Sequence, residues 1–129
     1  MTSQDQTPTP ASRVRFEPAG EFTLCCLDFQ DLRSAEEALA AIAVAKEVVA
    51  QTPPFSLRTL TDVKGSHMSL PVIAAMQDLV RANAPHVTKS AVIGLSLPHR
   101  VALRQVRRLT GRDIREFETL DEALEFLRS

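Results

Sequence analysis

Residues 90–95 read SAVIGL, a nearly unbroken apolar run that leads at once into a helical pattern starting near Leu97. A strand with apolar side chains on both sides of its backbone has to be covered on both faces. That places it inside a sheet with helices packed on it, the setting of parallel strands. At an exposed edge the same apolar row would invite aggregation. The chain around it therefore has to supply neighbouring strands and covering helices.

The remaining segments supply them in alternation. Val14 and Phe16 alternate with Arg13, Arg15 and Glu17, and a break at Pro18-Ala19-Gly20 separates them from a second apolar run at residues 22–29 (FTLCCLDF). These two runs predict a β-hairpin with its first, proline-bearing strand at an edge. Ser34 and Glu37 have the spacing of a capping box and open a helix whose apolar set is Leu39, Ile42, Val44, Val48 and Val49. Pro53 and Pro54 end it. Residues 55–63 (FSLRTLTDV) predict a strand ended by Gly65. Residues 70–83 predict a helix with Val72, Ile73, Met76, Leu79 and Val80 inward, followed by Pro85. After the arginine-rich helix, ended by Gly111, residues 114–117 predict a short edge strand. Thr119-Leu120-Asp121-Glu122 is a second capping box and starts a last helix with Leu124, Phe126 and Leu127 as its apolar set. The fold class is thus α/β: one domain with a mixed, mainly parallel sheet, an N-terminal β-hairpin and (βα) repeats.

A chain of 129 residues fits one domain, and its net charge of −1 gives no global attraction to nucleic acid or anionic lipid. No apolar run approaches the roughly 18 residues of a membrane span, so no integral membrane association is expected. The opening MTSQDQTPTPAS is polar and proline-containing; residues 1–12 are expected as a disordered tail before a domain at 13–129. Cys25 and Cys26 are adjacent, so on a strand they point to opposite faces and do not pair with each other. Two free thiols suggest a reducing, cytoplasmic setting. "SLP" occurs at residues 69–71 and again at 96–98, each time just after a strand. Ser69 and Ser96 suit N-caps and the prolines suit first turns, which puts two helix N-termini at the carboxyl edge of the sheet. Open α/β sheets bind ligands at that edge, and helix N-termini favour anions.

"LTDVKG", "KSAVIGLS" and "LTGRDIREFETLDEALEFL", in this element order, resemble the small bacterial STAS-like proteins, the relatives of anti-anti-sigma factors. These share a fold with CRAL-TRIO lipid-binding domains. The resemblance covers roughly residues 13–128 and rests on fold signatures; it implies a compact domain used for regulation and protein contact, without catalysis. It places an acidic residue at Asp62. It also implies a phosphorylatable serine opening the helix after the central strand, where this chain has Ser66-His67-Met68-Ser69 and lacks the Asp-Ser-Ser-Gly motif. Ser66 and Ser69 are the candidate phosphoacceptors, set against capping roles.

The arginine helix offers the sharpest local feature. On a helical wheel Arg100, Arg104, Arg107 and Arg108 share an arc of about 100°, and Val101, Ala102, Val106 and Leu109 are expected to face the sheet. Arginine's planar fork suits carboxylate or phosphate partners, and Asp113, Glu116, Glu118, Asp121 and Glu122 follow closely. The face is either solvated, paired inside the domain, or a contact for an acidic protein or a second copy. A lipid or small anion is an alternative, reached through the strand-end edge around Asp62, Ser66, Ser69 and Ser96. Nucleic acid is not expected, because no Trp or Tyr is present to stack on bases. The three histidines have no metal-site spacing and are expected on the surface or in caps, so neither metal nor cofactor is expected. Ser96 and His99 lie one turn apart with Asp62 in reach, but no nucleophile-elbow motif accompanies them; no catalytic residue is assigned. An apolar cavity of several hundred Å³, about the size of typical ligand pockets, favours the lipid or ligand alternative, and a filled core favours the regulatory module.

Overall fold

The computed structural model describes residues 9–129. Five strands and four helices form an α/β domain: β1 (Val14–Ala19), β2 (Phe22–Asp28), α1 (Ala35–Ala50), β3 (Leu57–Asp62), α2 (Leu70–Asn83), β4 (Val87–Ile93), α3 (Leu97–Thr110), β5 (Ile114–Glu116) and α4 (Leu120–Arg128). The sheet order is β1-β2-β3-β4-β5, with β1 antiparallel to β2 and every other pair parallel. The predicted alternation, hairpin and mixed sheet are all present. β4 is interior and β5 is a short edge strand, as the sequence patterns require.

Right-handed crossovers between strands added in one direction pass over the same face. The buried cluster containing Phe29, Ile42, Val49, Leu79, Leu103 and Val106 accordingly fills the space between the sheet and α1, α2 and α3. α4 follows the last strand and closes the other face with Leu24, Cys26, Leu60, Ala91, Ala123 and Leu127. Cys25 and Cys26 fall on opposite faces and are both free, as strand alternation dictates.

Several local boundaries differ from the sequence reading. The hairpin turn is Gly20-Glu21, with Gly20 at φ 77°, so Pro18 and Ala19 stay inside β1, opposite Thr23 and Phe22. β4 begins at Val87, earlier than the apolar run suggests. Leu57 pairs with Val87 while Arg58 pairs with Lys89, leaving Thr88 as a bulged extra residue. It ends before Gly94, whose φ of 80° no side chain adopts readily and whose Cβ would stand 2.6 Å from Asp62 Oδ1. α1 turns a small-residue face inward, Ala38, Ala41, Ile42, Ala45 and Val49, while Leu39 is exposed. Small side chains let it lie close against the sheet and α2.

Of the expected tail, residues 1–8 lie outside the described residues. Residues 11–13 already form a 3-10 turn, which carries the buried Arg13. Its guanidinium donates to the carbonyls of Asp28 and Gln30, both at 2.9 Å, and ties the chain's entry to the end of β2. On the α4 side, Arg58 donates to the Leu127 carbonyl, and Lys89 Nζ donates to the Phe126 carbonyl at 3.2 Å. Two cations thus hold the C-terminal end of α4, where the helix dipole is negative.

Two predictions follow from the backbone and the core. Phe55 is 66% exposed and sits at φ 52° in the α1–β3 loop. Phe55→Asn, a residue that tolerates the left-handed region, should stabilise the protein by about 1 kcal/mol, seen as a higher urea midpoint at unchanged slope. Burial pushes the Cys25 thiol up to about 12. The unfolded chain loses that proton near its ordinary value of about 8.5 while the native state keeps it. Stability should therefore fall as pH rises above about 9, by about 1.4 kcal/mol per pH unit from this thiol. Urea titrations across pH should show stability falling in wild type, with a slope that Cys25→Ala makes shallower by this amount. Burial of the Cys26 thiol, whose pKa is also raised, contributes to the remainder.

Candidate functional site

The two SLP segments open α2 and α3 as expected, with Ser69 and Ser96 at the N-cap positions and Pro71 and Pro98 in the first turns. Their chemistry is not the simple cap that the spacing suggests. The Ser69 hydroxyl oxygen is buried without a hydrogen-bond partner and caps no amide. At Ser96 the tie runs through His99, which is buried rather than on the surface. The Ser96 N–H donates to His99 Nδ1 at 3.0 Å, and the Ser96 hydroxyl lies 2.9 Å from the same nitrogen. On the other side of the ring, Nε2 lies 3.0 Å from the Ser66 carbonyl and 3.2 Å from the Ser66 hydroxyl.

This arrangement fixes the tautomer. A backbone N–H can only donate, so Nδ1 is an acceptor and the neutral ring carries its proton on Nε2, aimed at the Ser66 carbonyl. A base for Ser66 would need a bare Nε2 and a donor Nδ1, the reverse of what is present. At Ser96, the serine paired with His99 by spacing, Nδ1 already accepts the backbone N–H, and Nε2 donates to the Ser66 carbonyl rather than to a carboxylate that would orient the ring. Asp62, the remaining member of the suspected constellation, accepts from the Lys64 N–H at 3.0 Å and closes a turn after β3. His99 is therefore a strut between the β3–α2 loop and the start of α3.

That strut also sets the rotation of α3. With His99 inward, Ala102, Leu103 and Val106 follow it into the core at helical spacing. Val101 and Leu109, expected to face the sheet, are turned to the outside, 59% and 47% exposed. The four arginines separate into two pairs. Arg100 meets Glu116 at 3.4 Å, and Arg107 Nε donates to the Ile114 carbonyl at 2.6 Å, so both bind α3 to β5. Arg104 and Arg108 are exposed, and among the described residues neither has a carboxylate within 4.0 Å. Of the other nearby acids, Asp113 pairs with Arg115 and Glu122 serves the Thr119 cap.

A cavity of about 100 Å³ lies between the sheet and α2–α3. Its walls are mainly apolar, including Phe29, Ile42, Met76, Leu79 and Val106, with Ser66 and His99 towards the carboxyl edge of the strands and Asn83 and Arg112 towards the amino edge. Asn83 is buried, and its side-chain oxygen has no partner. Burial lowers the Arg112 pKa from its ordinary value, and its guanidinium makes one long contact, 3.5 Å to the Val80 carbonyl. The sequence reading overlooked both residues. Asn83 ends an apolar helical face and Arg112 follows the Gly111 stop, so both look like ordinary loop-flanking polar residues.

The carboxyl edge, expected to bind ligands, is less favoured than the sequence implies. The ligand crevice of open α/β sheets forms where the strand order reverses, and here the order runs from β1 to β5 without reversal. Among the described residues no group of three His, Cys, Asp or Glu side chains converges as a metal site. No helix there is long and apolar enough to cross a membrane. No protein-family model and no curated protein matches the chain.

The strut reading predicts that His99→Ala leaves the Ser96 N–H and the Ser66 carbonyl without their ring partner and opens a void where the buried ring sat. It should lower stability by about 2 kcal/mol in chemical denaturation. Nitrogen NMR of the wild-type imidazole above neutral pH should place the proton on Nε2; a proton on Nδ1 would contradict the assignment.

Proposed function

We propose that this chain is a non-catalytic binding module that meets an acidic protein surface through the outer side of α3. The observation that carries the reading is a stripe of four exposed side chains, Leu97, Val101, Arg104 and Arg108. Their 4-3-4 spacing keeps them in line along one helix surface. Leu97 and Val101 are 77% and 59% exposed, and the two guanidinium groups are the ones that take no part in holding the domain together. Exposed aliphatic groups beside unpaired arginines have the composition of a protein interface, in which arginine is enriched and apolar contact supplies the central area.

The resemblance to STAS-like regulators supports the same reading, since it implies protein contact in place of chemistry. Phospho-switching is not part of it: the Ser69 hydroxyl is buried, and the Ser66 hydroxyl is turned to His99. The lipid-carrying alternative has too little room, because about 100 Å³ falls well short of the several hundred Å³ of typical ligand pockets. A second copy of the chain is the competing occupant of the stripe.

Arg104→Gln with Arg108→Gln should change stability by no more than about 0.5 kcal/mol, as expected for solvated positions. The same pair should abolish capture of the partner by tagged protein in its native cells, with bound proteins identified by mass spectrometry. Wild-type capture should weaken as salt shortens the screening length below about 8 Å. Arg100→Gln with Arg107→Gln should instead lower stability, by about 1 kcal/mol or more, through the lost contacts to β5. Capture unaffected by the first pair would overturn the proposal. Sedimentation showing a concentration-dependent dimer that the first pair dissolves would assign the stripe to a second copy.

A further inference from the structure

We infer that the cavity between the sheet and α2–α3 is a binding site for a small apolar molecule carrying one hydroxyl group, held between Asn83 and Arg112. The site is independent of the outer side of α3 and does not rest on the partner proposed there. Asn83 is 7% exposed, and its side-chain oxygen is a buried acceptor with nothing to accept from. Such orphans are rare in native interiors, where an ordered water or a bound molecule supplies the partner. Arg112 lines the same cavity and reaches the Val80 carbonyl. Val80 and Asn83 are three residues apart on α2, so the guanidinium lies over the patch of helix that carries the orphan oxygen. Most of its five donors remain uncommitted among the described residues.

The paired requirement selects the ligand's polar group. A hydroxyl donates its proton to Asn83 Oδ1 and accepts from an Arg112 N–H through its oxygen, satisfying both. A carboxylate can accept from Arg112 but has no proton for Asn83. An ammonium can donate to Asn83 but repels Arg112. A hydrocarbon leaves the acceptor orphaned. Most of the remaining wall is apolar, including Met76, Leu79, Val87 and Leu103, with polar groups from Thr59, Thr61, Ser66, Ser90 and His99 among it, and suits a mainly apolar body. An apolar cavity of about 150 Å³ takes a benzene ring, so a volume of about 100 Å³ limits the body to that size or less.

The test is an NMR titration of nitrogen-labelled full-length protein with two hydroxyl probes, phenol and 1-pentanol. Benzene and 1-chlorobutane serve as bodies of similar size without the hydroxyl. At least one hydroxyl probe should shift the Asn83 side-chain amide and the Arg112 Nε–H saturably, and should bind at least tenfold more tightly than its counterpart. Asn83→Leu should keep the fold and erase that preference. Asn83→Ala provides the same comparison if the leucine variant does not fold. No saturable shift up to probe solubility, equal binding with and without the hydroxyl, or an unchanged preference in the Asn83 variants would each overturn the inference. The first of these would leave Asn83 to an ordinary trapped water.

Discussion

In a sheet whose parallel strands follow one another as β2-β3-β4-β5 without reversal, each right-handed crossover returns over the same face. Three helices crowd that face, and the opposite face is left to whatever follows the last strand. Here that is α4, a helix of nine residues. Its buried contribution is small, Ala123 and Leu127 with flanking Leu124 and Phe126. The cations Arg58 and Lys89, projecting from β3 and β4 onto its last carbonyls, therefore have a structural task. Each also lies over an aromatic ring, Arg58 at 4.1 Å from Phe22 and Lys89 at 5.0 Å from Phe126. Their aliphatic stems extend the thin apolar layer while their charges meet the negative end of the helix. A charged residue in a strand that must be buried is tolerated because the covering helix ends above it.

The same one-way winding bears on where a ligand can bind. A doubly wound sheet parts its helices at the reversal point and opens a crevice at the carboxyl ends of its strands. This sheet has no such point, and the SLP turns close over that edge with His99 strutted to the Ser66 carbonyl. The unused space lies lower down, between α2, α3 and the strands, and its unsatisfied polar atom stands at the amino edge. The helix N-termini drew attention from sequence because their residues are diagnostic. The packing leaves an unpartnered oxygen at each end of α2, Ser69 Oγ at its start and Asn83 Oδ1 at its close, and only Asn83 lines the cavity.

What could be read from the sequence depended on whether a feature was periodic and local. The strand–helix alternation, the interior position of β4, the Thr119 capping box and the Gly111 helix stop all rest on patterns within a dozen residues, and the structure has each of them. The Ser34 box shows the limit of such patterns: Ser34 accepts from the Glu37 N–H, but the Glu37 carboxylate returns to the Arg33 N–H, one residue further out. The rotation of α3 was only partly legible. At about 100° per residue Val101 falls beside Arg108 while Leu103 and His99 fall across from it, so the expectation for Val101 comes from its apolar character and not from its place on the helix. The decision comes from a long-range contact, His99 to Ser66 across 33 positions. Asn83 and Arg112 were equally out of reach, since neither belongs to a motif and their meaning depends on a shared cavity.

Arginine in α3 thus serves two purposes that composition alone cannot separate. Arg100 and Arg107 are turned towards β5, a strand of three residues that pairs with β4 on one side only. So short a ladder gives few backbone hydrogen bonds, and the contacts to Glu116 and the Ile114 carbonyl add lateral hold. Arg104 and Arg108 lie on the solvent side and face no acid of their own chain within ion-pair range among the described residues. Burial of His99, Ala102, Leu103 and Val106 fixes the rotation of α3, and the two inner arginines add to that hold. With that rotation fixed, Leu97, Val101, Arg104 and Arg108 stand in line on the outer side of the helix. A helix already fixed in orientation has less to lose on docking than one that must first be ordered, although its exposed side chains still lose entropy of their own. On the proposed reading, the internal arginines help to set the orientation in which the external ones would meet a partner.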